Sequence, residues 1–313
     1  HSVNFDRGGF AADINVVYPI DRLYELVEAG VIGEVAQQHY SFAGNQSDGV
    51  TEIRLDSGPQ CAQEMLNEGV DVVLLTGTRH MCPRTVCTLA HVFEAAGLAT
   101  IVLTPMRPVA ERMGVPRALY TDFPLGRSLG KPSDQQFQSD VLVAAFELLK
   151  EPEGPVIRDF PVTVSSEDSD TLQCPLPPRF NAEVHPAVDE AKALRAAYYR
   201  ARQASGKTSL GMRITAEEVP NALEKFVKIA SGEHWENFGF SAESIYGTVH
   251  DIRCYYEELA CELAKGPIGP WATEEWFYDQ TQAGDIILRA RRAMRDSEVA
   301  QSVWFGLTPA GRS

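Results

Sequence analysis

An α/β fold, with a doubly wound and mainly parallel sheet followed by a helical C-terminal region, is what this sequence predicts. Three observations lead there. Val70–Thr76 (VDVVLLT) and Ala99–Thr104 (ATIVLT) are nearly continuous apolar runs, as expected of strands buried on both faces. A helical stretch closed by Gly97 separates them, which is the strand–helix–strand alternation of a parallel sheet. Beyond residue 182 the strand pattern stops and only helical spacing continues.

Taken in order, Asn15–Tyr18 reads as a short apolar strand. Pro19–Ile20–Asp21 opens a helix that runs through Leu23, Leu26 and Val27 to Gly30, with Pro near the first turn and Gly past the end. Ser57 is placed to cap a second helix, in which Cys61, Met65 and Leu66 share a helical spacing and which ends near Gly69. Strand 70–76, helix 85–96 and strand 99–104 follow. Arg117–Thr121 is a further strand and Asp134–Leu149 a longer amphipathic helix. This α/β domain, with its cysteine loop, spans residues 1–150. Residues 151–182 carry Pro152, Pro155, Pro161, Pro175, Pro177 and Pro178 around the polar run Ser165–Thr171, and read as a Pro-rich linker or covering loop. Residues 183–313 form a mainly helical region, with helices near 186–204, 216–231, 242–265 and 272–296.

With 44% hydrophobic and 23% charged residues over 313 positions, the chain has the composition of a globular protein. A net charge of −15 argues against nucleic acid and anionic membranes as partners. A small-molecule substrate, and a partner subunit or second copy of the chain, fit better. No stretch of 18 apolar residues exists, and the first twenty residues hold Asp6, Asp13 and no apolar signal-peptide core. Six scattered cysteines form no disulfide framework, so reduced thiols and a cytoplasmic location are expected. The chain opens on His1 rather than Met, as expected where a tag or leader has been removed or the chain is one product of a longer precursor.

Chemistry in such sheets sits beyond the carboxyl ends of the strands. Directly after the most strand-like run comes TGTRHMCPRTVC, residues 76–87. Cys82–Pro83 sets a thiol at the start of a helix, facing unpaired backbone N–H groups and the positive end of the helix dipole. Arg79, His80 and Arg84 add charge beside it, and all of these favour thiolate. Cys82 is therefore the candidate nucleophile, against the plainer reading of a small buried residue at a turn. Cys87 is a candidate catalytic partner in a redox pair, although it lacks the compact C-x-x-C spacing. A transition metal is the rival reading, with His80, Cys82, Cys87 and His91 as ligands. If both thiols are helical, however, Cys82 and Cys87 point roughly 140° apart. A second constellation, Arg117–Lys131 (RALYTDFPLGRSLGK), offers Asp122 at a strand end and Arg117, Arg127 and Lys131 to hold an anion. The third is His39–Gly44 (HYSFAG), where His39 is a candidate substrate contact and, more commonly for a lone histidine, a structural residue.

Several of these segments are familiar. DINVVYPIDRLYELVEAGVIGEV with HYSFAG, GVDVVLLT with the cysteine loop and EAAGLATIVLT, and RALYTDFPLGRSLGKP together resemble the selenoprotein B family of glycine, sarcosine, betaine and D-proline reductases. VDEAKALRAAYYRARQASGKTSLG resembles a helix of its cysteine-only relatives. The resemblance covers most of the chain and is strongest over 13–149. It implies a motif U-x-x-C-x-x-C in which Cys82 is the first cysteine, Arg79 takes the selenocysteine position and Thr85 replaces the last cysteine. It also implies a segment before His1 that carries an early strand, so that an upstream piece, a partner chain or a second copy is expected to cover that edge of the sheet.

The leading expectation is a cysteine-dependent reductase or lyase subunit acting on a small anionic or amine-bearing molecule. Cys82 attacks, His80 shuttles a proton, and Arg79 or Arg84 stabilises negative charge. The alternatives are a metal-dependent lyase or hydrolase, and a non-catalytic subunit of a reductase complex. The absence of G-x-G-x-x-G after a strand argues against a self-sufficient nicotinamide dehydrogenase.

Overall fold

The computed structural model describes residues 3–46, 49–77, 82–151, 153–166, 172–264 and 266–312. The chain divides into two compact units, Asp13–Asp168 and His1–Ala12 with Ser169–Ser313. In chain order the helices are α1 Arg7–Ala12, α2 Ile20–Glu28, α3 Gly58–Asn67, α4 Cys82–Ala96, α5 Arg107–Met113, α6 Gln135–Phe146, α7 Pro186–Ser205, α8 Val219–Ala230, α9 Ala242–Leu263, α10 Ala272–Gln280, α11 Gln282–Asp296 and α12 Gln301–Trp304. The strands are β1 Val72–Thr76, β2 Ala99–Thr104, β3 Arg117–Tyr120 and β4 Val156–Asp159.

In the α/β unit the four strands run parallel in the order β1-β2-β3-β4. Register sets Thr76 beside Leu103, Thr104 beside Tyr120 and Ala118 beside Ile157. Helices cover both faces, as two apolar layers require. On one face Leu75, Val102 and Ala118 pack with Met65 of α3, Leu89 and Phe93 of α4, and Ala110 of α5. On the other, Ile101, Leu103 and Leu119 pack with Leu26 of α2 and with Val141, Leu142 and Ala145 of α6. The expected α/β class is the fold.

Several local expectations change. Asn15–Tyr18 is no strand: Ile14–Val16 forms a 3-10 turn, because the Asp13 carboxylate accepts from the Asn15 amide at 2.9 Å and closes the chain on itself. The segment 151–182 supplies β4, which pairs with β3. α3 starts after Ser57, but Ser57 already has helical backbone angles and its hydroxyl makes no capping bond. A π-helical turn, Ile53–Ser57, leads into it. The single helix expected over 272–296 is two, broken at Thr281, which is extended and caps α11 through its hydroxyl.

In the helical unit α7, α8, α9 and α11 enclose an apolar core containing Tyr198, Phe226, Tyr255 and Ile287. Two of its buried charges are held by several partners each. Asp251 accepts from the backbone amides of Gly211, Met212, Arg213 and Ile214 at 2.6–3.1 Å, and Arg253 pairs with Glu257 at 2.7 Å and Glu274 at 3.2 Å. No described helix is long and apolar enough to cross a membrane.

Candidate functional site

β1 ends at Thr76, and Cys82 and Pro83 open α4 at the carboxyl edge of the sheet. Pro83 suits the first turn of a helix, where its missing N–H costs nothing. Cys82 is half-buried, and among the described residues Gly44 and Gly77 pack closely on it. A Cβ added to Gly44 would stand 2.4 Å from Cys82 Sγ, a separation that real side chains do not tolerate. A Cβ on Gly77 would stand 3.3 Å from Cys82 Cβ. Thr85, buried one turn further along α4, donates from Oγ1 to the Gly44 carbonyl at 3.0 Å. The loop 39–44 is thereby clamped onto the thiol. His39, at the start of that loop, is exposed and packs edge-on against Tyr18, with ring centres 5.3 Å apart.

Arg79 and His80 lie outside the described residues. Arg84 is exposed on the first turn of α4. The remaining candidates from the cysteine loop are engaged elsewhere. Cys87 is fully buried in the core with Leu89 and Ala90, and burial pushes its thiol up to about 11. His91 stands about 13 Å along α4 from Cys82, and its Nε2 donates to the Met113 carbonyl at 2.8 Å. Among the described residues no three His, Cys, Asp or Glu side chains converge in a way that could hold a metal ion. Neither a Cys82–Cys87 redox pair nor a metal set through Cys87 and His91 finds support in this geometry.

Arg117 was an expected anion contact, and the fold places it otherwise. It starts β3, and its guanidinium pairs with Glu94 of α4 at 2.8 Å. The same carboxylate accepts from the amide and hydroxyl of Thr100, near the start of β2, so this cluster lies toward the amino edge of the sheet, away from Cys82. Asp122 does lie at the carboxyl edge, about 10 Å from β1 by strand spacing. It is exposed, and accepts from Thr163 Oγ1 at 3.0 Å and Tyr120 Oη at 3.4 Å. Arg127 is buried, only 1% exposed, in the turn 124–130.

That turn is joined to the site through residues the sequence reading had passed over. Leu129 donates from its amide to the Val16 carbonyl at 2.9 Å, and Thr76 Oγ1 donates to the Val17 carbonyl at 3.2 Å. The 13–18 segment thus bonds both to the end of β1 and to the turn 124–130. Asp13 fixes it, accepting from Asn15, from the Ser133 amide at 2.8 Å and from Gln138 at 2.7 Å. Burial opposes its ionisation, but these bonds outweigh burial and hold the carboxyl below its ordinary range. The available signal was a threonine at the end of VLLT and IVLT and directly after the strand in ALYT.

A profile of the glycine/sarcosine/betaine reductase selenoprotein B family matches residues 2–78. The comparisons support a relationship between this chain and the selenoprotein B family. The D-proline reductase subunit gamma of Acetoanaerobium sticklandii is 31% identical over 147 residues, covering 47% of this chain and 60% of that protein. The glycine reductase complex component B subunit gamma of Peptoclostridium litorale is 29% identical over 127 residues, 40% of this chain and 29% of that protein. The sarcosine reductase complex component B subunit beta of Peptoclostridium acidaminophilum is 27% identical over 150 residues, 47% of this chain and 34% of that protein. The alignments thus span less than two thirds of each of these selenoprotein B relatives. No solved structure matches the chain. Thr85, which the resemblance sets in the place of the motif's last cysteine, donates to the Gly44 carbonyl beside Cys82.

Proposed function

We propose that the chain is a subunit of a reductase complex that acts on a small anionic or amine-bearing molecule through the thiol of Cys82. The observation that carries this reading is the placement of a half-buried cysteine at the start of α4, at the carboxyl edge of a parallel sheet, with two glycines packed against it. Four other cysteines contrast with it. Burial pushes the thiols of Cys61, Cys87 and Cys174 up to about 11 and that of Cys254 to about 12, which makes them poor nucleophiles at neutral pH. The relatives' names, all subunits of reductases or of reductase complex components, support the assignment to a complex with partner subunits. Attack belongs to Cys82, proton transfer to His80, and stabilisation of negative charge to Arg79 or Arg84.

The test is reductive turnover by the assembled complex, carrying either this subunit or its Cys82→Ser variant. Loss of turnover on a normally assembled complex supports the reading. Full activity of the variant rejects it and leaves a non-catalytic subunit.

A further inference from the structure

α3 and α4 pack on the sheet through Cys61, Met65, Leu89 and Phe93, yet the outer stripe of both helices is apolar as well. A groove of about 830 Å³ runs along it, lined by Pro59 and Leu66 of α3, Val92 and Ala96 of α4, and Met113 of α5. Leu55, in the π-helical turn Ile53–Ser57, lines the same groove and is 74% exposed. Apolar surface gathered in one open groove marks a place where another molecule docks.

The turn that presents Leu55 is held in place from below. Ile53 is buried in the core that contains Ala62 and Leu89. Gly58 donates its amide to the Ile53 carbonyl, and a Cβ on Gly58 would stand 2.1 Å from that oxygen. Just before the turn, Val50 holds φ +83°, a left-handed backbone that β-branched residues rarely adopt. π-helical turns are rare overall and recur at functional sites. With Ile53 directed inward, Arg54, Leu55 and Asp56 are all exposed. Arg54 also lines the groove. Among the described residues, neither the Arg54 nor the Asp56 side chain makes an ion pair or hydrogen bond.

These charges select the occupant. The exposed tip reads cation, leucine, anion. Two copies of such a tip that meet about a two-fold axis at Leu55 run antiparallel, so Arg54 of each faces Asp56 of the other. Each Leu55 then covers the apolar groove of its mate. The net charge of −15 on each copy opposes association at long range. At physiological salt that repulsion is screened beyond about 8 Å, whereas the apolar contact is not weakened.

We propose that the outer face of α3 and α4 is a self-complementary interface for a second copy of this chain, centred on Leu55 with two Arg54–Asp56 pairs across the axis. The interface does not depend on the chemistry assigned to Cys82.

Sedimentation velocity of the full chain at physiological salt, over a range of concentrations, tests this. The wild type is compared with Leu55→Ser, Arg54→Asp, Asp56→Arg, the combined Arg54→Asp with Asp56→Arg, and Cys82→Ser. The wild type is expected to form a dimer. Leu55→Ser should weaken it at least about tenfold by removing the central apolar contact. Each single reversal sets like charges face to face and should also weaken it at least about tenfold. The combined reversal makes every pair opposite again and should restore the dimer. All of the altered tip residues are exposed, so the circular dichroism spectra of the variants should match that of the wild type. Cys82→Ser should dimerise normally. A wild type that stays monomeric at every concentration overturns the proposal and leaves the face to a different chain or a small ligand. A dimer untouched by Leu55→Ser or by the single reversals, or a combined variant as weak as the single ones, overturns it equally.

Discussion

Thr85 Oγ1 donates a 3.0 Å hydrogen bond to the carbonyl of Gly44, across 41 residues of sequence, and so holds a loop against the Cys82 thiol. Two substitutions separate the parts of this clamp. Thr85→Val keeps the shape but leaves the Gly44 carbonyl unpaired, and should cost about 1 kcal/mol of stability. Gly44→Ala drives a methyl group into Sγ, and should cost roughly 1–3 kcal/mol as the loop or the thiol shifts. Both should change the rate at which Cys82 is alkylated, measured alongside chemical denaturation. An unchanged rate in Gly44→Ala would mean that the loop does not sit on the thiol.

Arg117 tests the other edge of the sheet. Its pairing with Glu94 is partly buried, with side-chain exposures of 14% and 27%, so Arg117→Ala should lower stability by roughly 1 kcal/mol. Cys82 reactivity and any anion binding should stay at wild-type values. Loss of anion binding in Arg117→Ala would return this residue to the site.

Asp13 gives a pH signature. Its carboxyl is held below the ordinary value of 3.8, so the stability it contributes is complete above about pH 4 and is lost as pH falls through the folded value. Asp13→Asn should therefore be less stable than the wild type at neutral pH, and the difference should shrink in acid. Denaturation midpoints for the two proteins between pH 7 and pH 3 check this. A constant difference would show that the charge of Asp13 plays no part.

The sheet was legible because buried parallel strands leave long apolar runs, and VDVVLLT and ATIVLT are such runs. Cys82 was legible because a thiol followed by Pro after a strand marks a helix start. What stayed hidden depends on partners far away in sequence. Arg117 looks like an anion contact until the fold brings Glu94 beside it. Cys87 looks like a second reactive thiol until helical rotation turns it into the core. Asn15–Tyr18 looks like a strand because its apolar residues outvote a single aspartate, yet the Asp13 side chain closes a turn there. β4 is four residues long and sits among prolines, too short for periodicity to register.

The most direct measurement is competitive alkylation of the native protein with iodoacetamide, read cysteine by cysteine by peptide mass spectrometry. At pH 7 a thiol pushed up to about 11 is ionised in only about one molecule in ten thousand, which is the situation of Cys61, Cys87 and Cys174, with Cys254 higher still at about 12. Cys261, half-buried and directed at the Gly8 carbonyl at 3.7 Å, serves as the control for exposure alone. The account predicts that Cys82 is labelled at least about tenfold faster than every other cysteine. Equal or faster labelling of any other cysteine in the folded protein would contradict it.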